Sequence, residues 1–202
     1  MTTKTPTSTK STGARGRPTQ DAIAILKADH REVEKLFKAF EKAGDTAYKT
    51  KRKLVNQMIA ALSQHAAIEE EVLYPSARQE VADSEDDVLE ALEEHHIVKW
   101  QLQELTGLAP TDERFNAKVT VLAENVRHHV REEESELFPL LRSRLGRKRL
   151  LELGTALQSV RHTAPRRPHP RLPDTAPDNV IPMAVSGVID KARDLVHQAR
   201  KG

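Results

Sequence analysis

Residues 65 to 75 read HAAIEEEVLYP, and residues 129 to 139 read HVREEESELFP. Both stretches are His-x-x-x-Glu-Glu followed by Leu, an aromatic residue and Pro. Residues four apart on an α-helix share a face, so each His can act together with its Glu on one metal ion or on two ions of a bridged pair. Upstream of each stretch lies a second matched pair, Asp29-His30 with Val33 and Phe37 in the first half, and Glu94-His95 with Val98 and Leu102 in the second. The chain therefore carries an internal duplication of a His helix followed by a His-x-x-x-Glu helix.

The sequence around these motifs is helical throughout, with apolar residues recurring at three and four and no strand alternation. The spacing predicts a first helix over residues 21–43, ending before Gly44-Asp45, and a second over 49–80, with Pro75 able to kink it. A third follows Ser84 as N-cap and ends near Leu108. A fourth runs from about residue 113 to Leu145 and stops at Gly146, and a shorter fifth covers 147–160. Short connections make successive helices antiparallel, so the expected fold is an all-α, up-down-up-down four-helix bundle with a short fifth helix at one end.

Helical phase separates the doubled histidines. His65 shares a stripe with Met58, Leu62 and Ile68; His129 with Leu122 and Val126; His30 with Leu26 and Val33; His95 with Leu92 and Val98. His96 and His128 are rotated by about 100° from these stripes. His30 and His95 each lie 13 residues before the end of their helix, and His65 and His129 each lie 16 after the start of theirs. At 1.5 Å per residue, the four imidazoles should then fall within roughly 5 Å of one level. A layer of four His with Glu69 and Glu133 would bury carboxylates at a cost of several kcal/mol each without a cation, so the pattern points to a metal site.

Composition narrows the chemistry. The chain of 202 residues has no Cys, which removes disulfides, thiolate-bound zinc and iron–sulfur clusters, and leaves nine His and 30 Asp and Glu as donors. Six ligands exceed one tetrahedral zinc and fit two metals sharing carboxylates, and no His-Glu-x-x-His is present. Net charge is +2, but residues 1–20 and 161–202 carry +4 each and residues 21–160 carry −6. The basic character thus belongs to the ends, which lack aromatic interleaving, and nucleic-acid binding is not expected of the core. Residues 1–20 read as a disordered basic tail, 161–185 as a Pro/Arg-rich linker and 186–202 as a short basic helix. Neither a membrane span nor a secretory signal is visible, so the expected location is cytoplasmic.

Over residues 21–145 the sequence resembles the hemerythrin-like, HHE cation-binding family. The resemblance implies a non-haem, oxygen-bridged di-iron centre with two iron ions held by His30, His65, Glu69, His95, His129 and Glu133, the two Glu bridging. It also marks a departure: oxygen-carrying members have a second His four residues after the helix-three His, where this chain has Lys99, and an Asp five after the helix-four His, where it has Glu134. The resemblance implies an open position at the iron pair, and so reaction with dioxygen or peroxide rather than plain oxygen carriage. The alternative is an iron-binding or regulatory module whose basic tails contact nucleic acid or a protein partner. Pocket walls are expected from Leu26, Leu62, Ile68, Leu92, Leu122 and Val126, with Phe37 and Trp100 further out. Glu70, Glu134, His96 and His128 are read as surface residues.

Overall fold

The computed structural model describes residues 20–172 together with Gly187, Asp190 and Lys191. The expected N-terminal tail, most of the linker and most of the C-terminal basic helix lie outside the described residues. Four antiparallel helical rods form the bundle. The first is α1 (Ala22–Lys42), capped by the Asp21 carboxylate, which accepts from the Ala24 N–H at 2.8 Å. The second rod is α2 (Tyr48–Ile68) continued by α3 (Tyr74–Glu80). The third is α4 (Glu85–Gly107), and the fourth is α5 (Phe115–Glu132) continued by α6 (Phe138–Arg161). Ser84 stands at the start of α4 but caps nothing with its side chain; its hydroxyl donates back to the Val81 carbonyl at 2.8 Å.

The second and fourth rods are not plain α-helices. Each widens into one π-turn, Glu69–Leu73 and Glu133–Leu137, where the Tyr74 and Phe138 N–H groups reach back five residues to the Glu69 and Glu133 carbonyls. The cause is the duplicated proline. Pro75 and Pro139 have no N–H to donate, and their rings crowd the preceding turn, so the backbone widens rather than kinks. Both π-turns begin at the Glu of a His-x-x-x-Glu motif. That position is where such turns commonly mark a functional site.

The fifth element also differs from expectation in form. It is the far half of α6, separated from the bundle half by Gly146, whose φ of 69° lies in the left-handed region that glycine adopts without strain. Leu150, Leu153 and Leu157 of the returning helix join Ile23, Leu26 and Tyr74 in one buried apolar cluster. Gly154 lets the start of the chain approach closely, since a Cβ there would meet the Gln20 carbonyl at 2.3 Å.

Apolar burial divides into two clusters along the bundle. One holds Ile23, Leu26, Ile68, Leu73, Leu92 and Phe138, and the other Val33, Phe37, Met58, Leu62, Val98, Leu122 and Val126. On every rod the break between the clusters falls at the inward-facing histidine. A polar layer thus lies across the middle of an otherwise dry core. Among the described residues no helix is long and apolar enough to cross a membrane.

Candidate metal centre

The structure brings all six sequence-selected residues into this layer, each at most 6% exposed. His30 and His65 present their Nε2 atoms to each other at 3.2 Å, and His95 and His129 do the same at 3.2 Å. Glu69 Oε2 lies 3.1 Å from His65 Nε2 and 3.5 Å from His95 Nε2. Glu133 Oε2 lies 3.3 Å from His30 Nε2 and 3.6 Å from His129 Nε2. Each carboxylate therefore reaches across from one histidine pair to the other. Two groupings converge closely enough to share an ion: His30, His65, Glu69 and Glu133, and Glu69, His95 and His129.

Each Nδ1 faces outward to a carboxylate. His30 Nδ1 is 2.9 Å from Glu134, His95 Nδ1 3.0 Å from Glu70 and His129 Nδ1 2.8 Å from Glu94, while His65 Nδ1 is 3.5 Å from Asp29. A carboxylate that accepts from Nδ1–H fixes the tautomer with its lone pair on Nε2, the form in which imidazole binds metals. Two such lone pairs 3.2 Å apart repel each other unless a proton or a cation lies between them.

The electrostatics agree. Burial pushes the His65 and His95 pKa values down, His95 further because His129 and Lys99 lie nearby. Burial beside Glu133 pushes the Glu69 carboxyl well up. Burial also raises Glu133, but the surrounding imidazoles of His129 and His30 outweigh it and hold that carboxyl at about 2. Glu69 is 0% exposed and neither of its oxygens accepts a hydrogen bond; Glu133 Oε2 and His65 Nδ1 are likewise without one. Orphaned buried carboxylate oxygens cost several kcal/mol. A divalent cation among the Nε2 and carboxylate atoms supplies the missing partner, so the donor set fits a bound metal.

Three expectations need correction. Glu70 is not a surface residue: it is 1% exposed and joins His95 to the Lys99 ammonium, whose Nζ is 2.7 Å from Glu70 Oε2. Glu134 is half-buried and holds His30. Trp100 lines no inner wall; it is 41% exposed and its Nε1 donates to His96 Nε2 at 3.2 Å on the outer face of α4. His128 is exposed, as read from phase, whereas His96 is half-buried. Lys99 is buried, with its ammonium paired to Glu70.

Tyr74 is an addition that phase did not single out. Its hydroxyl donates to Glu133 Oε1 at 2.9 Å and lies 3.4 Å from His95 Nε2. The aromatic at the same place in the other half, Phe138, stacks on His30 with ring centroids 5.7 Å apart. The duplicated aromatics thus each pack against the histidine of the opposite half, and the signal was present in the shared Leu-aromatic-Pro.

Comparison with known proteins bears on the family and the fold. A family model described as the hemerythrin HHE cation-binding domain matches residues 21–141. The crystal structure of a hemerythrin HHE cation-binding domain-containing protein from Mycobacterium kansasii superimposes with a TM-score of 0.61 at 20% identity, over 70% of this chain and 85% of that one. A protein described as a DNA nickase from Nostoc sp. (strain PCC 7120) is 29% identical over 143 residues. That match covers 71% of this chain but only 40% of the relative.

Proposed function

Because the chain belongs to the hemerythrin HHE cation-binding family, we propose that its buried layer holds two iron ions and uses them to bind or reduce dioxygen or peroxide. His30 and His65 would hold one ion and His95 and His129 the other, with the Glu69 and Glu133 carboxylates available to both pairs. The observation that carries this reading is Glu69, fully buried, without a hydrogen bond on either oxygen, and within 3.5 Å of a histidine nitrogen from each pair. A bound pair of Fe(II) ions would supply two electrons to a small oxygen species, one from each ion as it becomes Fe(III).

The chain's own residues complete the site. Glu134, Glu70 and Glu94 hold the imidazole tautomers by accepting from Nδ1. Tyr74 keeps an O–H on Glu133 Oε1, a proton held inside the layer. Beside His30 lies a recess of about 240 Å³ walled by Val33, Phe37, Val126 and Val130 with Glu34, Arg127 and Arg131 beside them, a mainly apolar approach that a small neutral molecule could use. The nickase description belongs to a relative of which 40% is matched and adds no activity here.

The test is an anaerobic Fe(II)-loaded protein mixed with dioxygen or peroxide, followed by its ultraviolet-visible spectrum and by peroxide consumption. The reading expects a new charge-transfer band and consumption above that of free iron, both lost in Glu69→Ala. An iron-loaded protein that leaves both reagents untouched would return the chain to the iron-binding or regulatory class.

A further inference from the structure

The duplication makes the two outer seams of the bundle comparable position by position, and they differ in one respect. Between α1 and α2, the residues flanking the centre are Ala22, Ile25, Asp29, Gln64, Ile68 and Val72. That seam is covered: Arg161 clamps Asp29, its Nη1 2.9 Å from Oδ1, and its carbonyl accepts from Gln64 Nε2 at 2.9 Å. Between α4 and α5, the equivalent residues are Asp87, Glu90, Glu94, His128, Glu132 and Glu136. There the seam is an open cleft of about 50 Å³.

Elsewhere on the surface, carboxylates are commonly tied to a cation, as in Glu80 with Arg149, Glu85 with Arg78 and Asp83 with Arg144. Among the described residues, no lysine or arginine pairs with a carboxylate of this cleft. Its inner wall is His129 and Glu133, and Glu133 Oε2 is buried and accepts no hydrogen bond. At its mouth, donor atoms of Glu94, His128 and Glu132 lie within 4.8 Å of one another, with His128 Nε2 3.2 Å from Glu132 Oε1 and 3.6 Å from Glu94 Oε1. Glu94 links the two levels, since its other oxygen accepts from His129 Nδ1 at 2.8 Å.

We propose that Glu94, His128 and Glu132 form an outer docking site for a divalent cation, and that the acidic α4–α5 cleft is the route by which metal enters the buried centre. The proposal rests on the reading of that centre as a metal site. Imidazole and carboxylate donors suit Fe(II), and an exposed, half-open set binds it weakly enough to release it inward. A one-sign cleft with a low-dielectric floor raises the local cation concentration and the entry rate. The covered α1–α2 seam offers no such path.

The experiment compares metal-free full-length protein with the double variant His128→Ala/Glu132→Gln under argon. Fe(II) uptake is timed by withdrawing samples into a chelator that captures free Fe(II). Steering by a one-sign cleft is worth about tenfold or more in rate, and the variant loses two of the three docking donors and one of the cleft charges, so it should load at least about fivefold more slowly at low salt while reaching the same final iron content. Added salt should slow both proteins, the variant by less, because Asp87, Glu90, Glu94 and Glu136 keep its cleft acidic. Gln64→Ala, at the covered seam, should load at the parent rate. Uptake by the double variant within about twofold of the parent would overturn the entry route, and a lower final iron content would place the pair in the centre itself and overturn the docking site. A parent chain that takes up no iron would overturn both this proposal and the metal centre, whereas the variant's rate bears on this proposal alone.

Discussion

Replacing Lys99 by Met tests how the polar layer is held in an apolar core. Lys99 is 7% exposed and Glu70 1% exposed, their charged atoms are 2.7 Å apart, and the other Glu70 oxygen is 3.0 Å from His95 Nδ1. Removing the ammonium leaves a carboxylate inside the bundle without that counter-charge. Breaking a buried pair from one side costs about 3–5 kcal/mol. For a chain of this size each kcal/mol moves the melting temperature by about 2–4 °C, so the metal-free variant should melt about 6–20 °C lower by circular dichroism. Adding Glu70→Gln to Lys99→Met removes the carboxylate charge while leaving an amide oxygen able to accept from His95. The double variant should therefore recover more than half of the loss. A Lys99→Met protein within about 2 °C of the parent, or a double variant no better than the single one, would refute the idea that this pair supports His95 from behind.

Tyr74→Phe removes the hydrogen bond to Glu133 Oε1 and should destabilise the metal-free protein by about 1–3 kcal/mol in denaturant titrations, with a smaller loss once metal is bound. His96→Ala should leave the metal content unchanged and His95→Ala should lower it, because only His95 faces the layer; the reverse pattern would put the helical phase of α4 off by one residue. Burial raises the Asp29 carboxyl, but His65 and Arg161 outweigh it and hold it at about 2, below its ordinary 3.8. A depressed folded-state value means that this contribution is complete above about pH 4 and fades as pH falls toward 2. The stability difference between parent and Arg161→Met should accordingly be full at pH 6 and shrink below pH 4, and a difference constant with pH would count against it.

The sequence made the bundle legible because the apolar stripes hold a helical period along every rod and the breaks fall at Gly44, Pro110 and Gly146. The same stripes place His95 and His129 inside and His128 outside, as the burial pattern has them, while His96 is half-buried. What the stripes could not show was anything between the layer and the surface. Asp29 and Glu94 stand directly before the two upstream histidines, and as charged residues on a mostly polar flank they look like solvated helix face until the partner helix brings a ring nitrogen to them. Glu70 and Lys99 belong to different helices, so their pairing has no local signature. The π-turns did have one, the prolines five residues after Glu70 and Glu134, but a missing N–H is as compatible with a kink as with a widened turn until the packing on both sides is fixed. Tyr74 is set by that widening, which turns its ring toward the opposite half of the layer.

Counting bound metal decides whether six residues on four helices hold a pair of iron ions. Metal-free protein is loaded with excess Fe(II) under argon, desalted, and assayed for iron per chain alongside His65→Ala/Glu69→Ala, which removes one terminal donor and one bridge. Two irons per chain are expected in the parent, and loss of the pair in the double variant. A parent that retains fewer than two, or a double variant that still retains two, would contradict the assignment.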